Sequence, residues 1–227
     1  MTESAVRPCS AVARPTRRAA RAVALAAFAA GLLAAALRPD ASAASASAAI
    51  EVADDAGGAL ADVAVWLEPV DGKAPATPPR PATIAQADKR FQPRMSIVQA
   101  GSSVSFPNED TVRHHVYSFS PAKPFELKLY IGTPAAPVVF DRAGTVVLGC
   151  NIHDRMVGWV QVVDTPWFGR SDDAGRVRIG PLPPGEYRLR AFHPEQRAAV
   201  PEQRVRVAAD SERLALRIAL KREAARP

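Results

Sequence analysis

Cysteine is nearly absent from this chain: Cys9 and Cys150 are the only two. Cys9 lies ahead of an N-terminal apolar run that reads as part of an export signal, so the mature protein keeps Cys150 alone. A single thiol cannot form an internal disulfide. In an oxidising compartment it must be buried, paired between chains or bound to a metal.

Other absences narrow the field further. No run of Lys and Arg is interleaved with aromatics, which argues against a nucleic-acid partner. The formal charge of +6 is mostly N-terminal: residues 1–43 hold six Arg against Glu3 and Asp40, and the remainder is near +2. Methionine occurs only as Met1, Met95 and Met156, so no Met-rich tract for metal delivery is present. The apolar run from Ala22 to Leu37 has 16 residues, is short for a membrane span and is rich in weakly apolar Ala. Arg14, Arg17, Arg18 and Arg21 precede it, and Ala/Ser-rich residues follow it through Ala49. That order makes residues 1–43 a signal peptide, a periplasmic location the expectation, and the mature form free of the membrane; a retained anchor is the alternative. Ala41-Ser42-Ala43, Ala44-Ser45-Ala46 and Ala46-Ser47-Ala48 are the candidate cleavage motifs. The pair Arg17-Arg18 is followed by Ala-Ala-Arg, a poor twin-arginine match, and no Cys follows the apolar run to carry a lipid.

After the signal, the pattern has period two. Val63, Val65 and Leu67 alternate with Ala64, Trp66 and Glu68. Tyr187, Leu189 and Ala191 alternate with Glu186, Arg188 and Arg190, and Leu214, Leu216, Ile218 and Leu220 with Ala215, Arg217 and Ala219. Alternation puts one set on a core face and the other toward solvent, which predicts strands. With 21 Pro and no long amphipathic helix past the signal, the fold class is all-β, built as antiparallel sandwiches. Two stretches punctuate it: the Pro-rich 74–81 and a second break over 164–173.

Between those breaks lies the densest chemistry, Cys150-Asn151-Ile152-His153-Asp154-Arg155-Met156. A thiolate, an imidazole and a thioether in so short a run form a soft-ligand hook. One more imidazole completes the two His, one Cys and weak axial Met of a type 1 (blue) copper site. The pair His114-His115, in the segment from Asn108 to Val116, offers it. Neighbours on a strand face opposite sides, so His114 and His115 cannot both reach one metal. Zinc is the competing ion, but a thioether is a poor zinc ligand. The bland alternative is a buried core cysteine with His and Met near it by chance. Four protein ligands leave no open position, which argues for electron transfer and against an enzyme.

The motifs around this hook resemble the cupredoxins, the amicyanin type most closely. Val139-Phe140-Asp141-Arg142-Ala143-Gly144-Thr145-Val146-Val147-Leu148-Gly149-Cys150, the ligand loop, and Val157-Gly158-Trp159-Val160-Gln161-Val162 look like that family's final hairpin. Upstream, Phe91-Gln92-Pro93 and Gly101-Ser102-Ser103-Val104-Ser105-Phe106 precede Asn108, and His114 falls six residues after it. The resemblance implies a Greek-key β-sandwich over 82–164 and one type 1 copper ion. It implies the ligands His114, Cys150, His153 and Met156, supported from behind by Asn108, Asn151 and His115. A redox partner protein of unknown identity follows from it too. His115 stands where Asn is usual, and it is either a donor tying the ligand strand to the Cys loop or a surface histidine. Ile152 stands where Pro is common. His193 and Met95 read as structural residues outside the ligand set.

The flanking segments resemble a second family. Residues 49–69 look like strand, turn and strand, and 171–189 like a hairpin ending in Leu182-Pro183-Pro184-Gly185-Glu186-Tyr187. Together they are similar to the carboxypeptidase regulatory-like (transthyretin-like, carbohydrate-binding-like) sandwich. The resemblance implies a discontinuous sandwich of 48–70 and 165–222 carrying the copper block as an insertion; the alternative is one enlarged sandwich. The whole arrangement is similar to bacterial proteins labelled methylamine-utilisation-like. Three functions stay open: a single-electron carrier, a carbohydrate- or partner-binding β module with a structural or sensing copper domain, and a copper-handling protein. Trp66, Trp167 and Phe168 are the candidate aromatics for a sugar to stack on, and each could equally be core or interface packing.

Overall fold

The computed structural model describes residues 45–134, 136–208 and 213–221, so the signal-peptide reading of 1–43 lies outside the described residues. Two strands open the described chain, β1 (Ala46–Asp54) and β2 (Ala64–Pro69). Ten follow: β3 (Ala82–Thr83), β4 (Ala85–Ala87), β5 (Arg90–Gln92), β6 (Met95–Gln99), β7 (Ser102–Ser105), β8 (His114–Ser118), β9 (Phe125–Tyr130), β10 (Val138–Phe140), β11 (Gly144–Gly149) and β12 (Val157–Val163). The last are β13 (Phe168–Arg170), β14 (Arg176–Leu182), β15 (Gly185–Phe192), β16 (Gln203–Val207) and β17 (Arg213–Leu220). Among the described residues there is no helix, and the protein is all-β as expected.

Apolar side chains collect in two clusters. One joins Ile50, Val52, Val65 and Leu67 to Trp167, Val177, Ile179, Tyr187, Leu189 and Ile218. It lies between the sheets β14-β1-β17 and β13-β2-β15-β16. The other joins Phe91, Val98, Phe106, Val116, Phe140, Leu148 and Val160. It is enclosed by the five-stranded sheet β6-β12-β11-β8-β9 and the sheet β10-β7-β3. Both clusters belong to one compact unit.

Strand positions follow the alternation closely on β15, where Tyr187, Leu189 and Ala191 are buried and Glu186 and Arg190 are exposed. On β2 the alternation misleads, because Ala64 and Trp66 are buried as well as Val65 and Leu67. The strand is central in its sheet, and its second face runs against β6. Trp66 keeps its indole N–H satisfied by Glu68 Oε1 at 2.8 Å. Period two also cannot tell a hairpin from an arch. β1 and β2 lie in different sheets, and so do β14 and β15, so neither pair is a hydrogen-bonded hairpin. The break at 164–173 likewise holds a short strand, β13, which pairs antiparallel with β2. Nor are all pairs antiparallel: β1 with β17, β6 with β12 and β3 with β7 run parallel. Side-chain alternation is the same in either direction, so the pattern is silent on this point.

β1 is held from both sides. It pairs antiparallel with β14 from Ala46 opposite Leu182, and parallel with β17 from Ser47 opposite Arg213. Ala46 and Ala48 are 1% and 0% exposed, so the strand enters the core at its first residue. Of the three cleavage motifs, only the one ending at Ala43 leaves β1 whole. A chain starting at residue 44 should therefore match a longer chain in thermal melting. One starting at Ala49 loses two buried methyls and several ladder bonds, about 2 kcal/mol or more, and its Tm should fall by roughly 4–8 °C. Equal Tm values for the two would show that the start of β1 is dispensable.

Candidate metal centre

Three polar side chains converge at one end of the five-stranded sheet. Cys150 follows directly on β11, and His114 opens β8, two strands that pair at Gly149 opposite Tyr117. His153 lies in the short turn that leads from Cys150 into β12; the Met156 N–H closes it by donating to the His153 carbonyl at 2.9 Å. Cys150 Sγ lies 4.0 Å from His114 Nδ1 and 3.8 Å from His153 Nδ1. All three ligand atoms fall within 4.8 Å of one another. The two imidazole centroids are 4.9 Å apart at an angle of 63°.

Burial differs sharply across the group. His114 is fully buried, Cys150 is 5% exposed and Met156 is 1% exposed. Only His153 reaches the surface in part, and the neighbouring Ile152 is 48% exposed. Cys150 and Met156 both belong to the apolar cluster around Phe106 and Leu148. A metal bound here would have one ligand edge facing solvent and the rest in an apolar surround.

The donors are close enough to share one ion after a small inward movement. Bonds of about 2.0 Å to nitrogen and about 2.3 Å to sulfur span roughly 3.5–3.7 Å at tetrahedral or trigonal angles, and the two sulfur–nitrogen separations are 3.8 and 4.0 Å. The donors are also chemically matched: a thiolate and two neutral imidazoles select copper or zinc over hard cations.

His114 is aimed by a residue the sequence reading passed over. Its Nε2 lies 2.6 Å from Asp110 Oδ2, which leaves Nδ1 to face Cys150. Asp110 in turn accepts the backbone N–H groups of Asp88 at 2.8 Å and Lys89 at 3.0 Å, from the tight turn between β4 and β5. Burial opposes ionisation of Asp110. The Lys89 N–H, the His114 ring and the Asp88 N–H outweigh it and hold the carboxyl below the ordinary range. Such a carboxylate behind an imidazole fixes its tautomer and raises its basicity as a ligand.

Asn108 builds the loop that delivers both residues. Its Nδ2 donates to the carbonyls of Val112 at 2.9 Å and Tyr130 at 2.8 Å, and its Oδ1 accepts the Asp110 N–H at 3.0 Å. Tyr130 donates its hydroxyl to the Phe106 carbonyl at 2.6 Å and accepts from the Gln86 amide. Burial pushes this phenol up to about 12, against the Gln86 bond that lowers it and with the nearby Cys150 adding to the rise.

The remaining sequence-nominated residues fall elsewhere. His115 Nε2 lies 2.9 Å from Glu126 Oε1 on β9, and its ring is 5.6 Å from Tyr117. It is 6% exposed, hence no surface histidine, and its bond goes to β9 and not to the Cys150 loop. Asn151 is exposed in the turn after Cys150. His193 is buried beside the loop after β15, where its Nδ1 accepts the Glu195 N–H at 3.2 Å. Met95 is fully buried in β6. Trp66 and Trp167 are each 8% exposed, and the Trp167 indole donates to the Pro181 carbonyl at 2.8 Å. Neither indole face is open for a sugar to stack on.

No family model and no curated protein matches the chain. Among solved structures it is similar to a copper-containing nitrite reductase from Thermus scotoductus, at 26% identity and a TM-score of 0.35 over 42% of this chain and 25% of that one. It is also similar to a reduced amicyanin variant, at 21% identity and a TM-score of 0.33 over 36% of this chain and 80% of that one. A purple cupredoxin from Nitrosopumilus maritimus matches at 22% identity and a TM-score of 0.32, over 36% of this chain and 99% of that one. The chain thus spans a quarter of the nitrite reductase's length.

The Asp110–His114 bond makes a prediction independent of any metal. Asp110→Ala leaves a fully buried imidazole nitrogen without a partner, which should cost roughly 1–3 kcal/mol in urea unfolding of the metal-free protein. Asp110→Asn keeps one side-chain acceptor and should lose less. An Asp110→Ala protein as stable as the parent would show that His114 Nε2 finds another partner.

Proposed function

We propose that this protein is an exported carrier of single electrons, with one type 1 copper ion held by His114, Cys150, His153 and Met156. The observation that carries the reading is the cluster of His114 Nδ1, Cys150 Sγ and His153 Nδ1 within 4.8 Å, on two adjacent strands and one tight turn. Copper bound there would supply a one-electron couple. The protein's part is to keep the donors from moving. His114 is braced by Asp110, the turn from His153 to Met156 is closed by a backbone bond, and Cys150 ends a strand paired along its length with β12. Immobile ligands keep rearrangement between oxidation states small. Burial of His114, Cys150 and Met156 leaves only the His153 edge toward solvent, and four protein ligands would leave no open position on a metal, which supports a role as a carrier and not as an enzyme. Export to the periplasm is the compartment in which a lone free thiol calls for such a metal.

The test is an optical spectrum of the copper-loaded protein begun at residue 44. An intense thiolate-to-copper band in the visible is expected. Cys150→Ala and His114→Ala should abolish it. Met156→Leu should keep colour and raise the reduction potential, because loss of a weak donor disfavours copper(II). His115→Ala should keep the band, since His115 points to Glu126. Copper(II) bound without the band, or zinc retained in its place, overturns the reading.

We further infer that residues 82–164 form an inserted copper domain, and that 48–70 with 165–222 form a carbohydrate-binding-like sandwich around it. The two apolar clusters support this division. An excised 82–164 chain should then fold and bind one copper ion. If it is unfolded, the two clusters depend on each other and the chain is one enlarged sandwich.

A further inference from the structure

Beside the metal turn lies a concavity of about 470 Å³ lined by Arg90, Phe91, Gln92, Arg94, Arg155 and Val157. We propose that this pocket binds a small multivalent oxyanion of the phosphate class. The proposal stands apart from the copper reading, since it needs no metal.

Charge is the first argument. Three arginines line one concavity and no carboxylate does; Arg94 is paired with Glu195 outside it, so Arg90 and Arg155 supply the uncompensated charge. Among the described residues neither Arg90 nor Arg155 has an ion-pair partner. The neighbouring concavity is different: three carboxylates, Asp62, Asp173 and Glu195, line it beside Arg94 and His193. In the arginine pocket the lining charges have one sign, and Phe91 is buried beneath them. A cleft lined by one sign of charge focuses the field on an incoming counter-ion.

Geometry is the second. The three arginines come from separate places: β5, the link to β6, and the turn between His153 and Met156. Packing brings these together, because Gly158 lies so close to Phe91 that an added Cβ would sit 2.9 Å from the Phe91 Cβ. Arg94 is already oriented. Its guanidinium carbon lies 4.7 Å from the Trp159 ring centroid, and its Nη1 is 3.1 Å from Glu195 Oε1. A donor fixed in advance loses less freedom when an anion arrives. Planar guanidinium forks suit tetrahedral oxyanions better than ammonium groups do. The charged residues adjacent in sequence, Asp88, Lys89 and Asp154, are exposed and outside the lining.

The test is calorimetric titration of the metal-free full chain with inorganic phosphate at low salt. One saturable site is expected. Arg90→Gln and Arg155→Gln should each weaken it about tenfold or more, the loss of one charge-assisted hydrogen bond. Arg113→Gln, an exposed arginine outside the pocket, should leave it unchanged. Thermal melting checks that each variant is folded. Absence of saturable binding in the parent overturns the proposal. Equal weakening by Arg113→Gln does so too, because it would show general charge attraction only. If copper fails to give a blue site while phosphate still binds, the copper reading falls and the pocket stands.

Discussion

A buried imidazole has two nitrogens to satisfy, and at His114 that requirement organises the site. One nitrogen is given to Asp110, so the other is left facing Cys150 and His153. Asp110 can hold this role only because the turn between β4 and β5 donates two backbone N–H groups to it. Asn108 can present Asp110 only because its amide is stitched to Val112 and Tyr130. The chain of support runs from a tight turn, through a carboxylate, to a ligand nitrogen. Each link is a hydrogen bond to a group with a charge or a buried partner, the class worth most when intact and most damaging when broken.

The sheet supplies the other half of the geometry. β11 carries Cys150 out of an antiparallel pair with β12 that runs from Gly144 to Gly149. The chain reverses within a few residues, so the turn that holds His153 has little freedom to shift. Gly149 has a steric role here: a Cβ on it would come within 2.7 Å of the Tyr117 ring. The close approach lets β8 and β11 meet at that point, which brings His114 within reach of Cys150. Apolar packing around Met156 and Leu148 then surrounds the buried side of the cluster.

Much of this was legible in the sequence, and the gaps have physical causes. Alternation marked β15 and β17, and the spacing of Cys150, His153 and Met156 marked one loop. The register after Asn108 pointed to His114, and the structure sets His114 Nδ1, with His115 turned to Glu126, beside the thiol. Asp110 was missed because its role depends on N–H donors some twenty residues upstream, and spacing carries no sign of them. The arch of β14–β15 looks like a hairpin in the sequence because a polar turn between apolar strands looks alike whether or not the strands share a sheet. Whether Trp66 belongs to the core or the surface is decided by the second buried face of β2, a matter of layers that one strand's pattern cannot report.

The pairing of β1 with β17 bears on the order in which the protein assembles. β1 is the central strand of its sheet, yet one neighbour, β17, ends at Leu220, so the partner strands are separated by nearly the whole described chain. The β17 edge of β1 therefore stays open until residues 213–220 are in place. The metal-side sheet has no such delay, since β11 and β12 are separated only by the ligand turn. Contacts of low sequence separation form fastest. The β11–β12 pair that carries Cys150 is therefore set to form early, and the long-range pairing of β1 with β17 closes later, after the metal turn already has its shape.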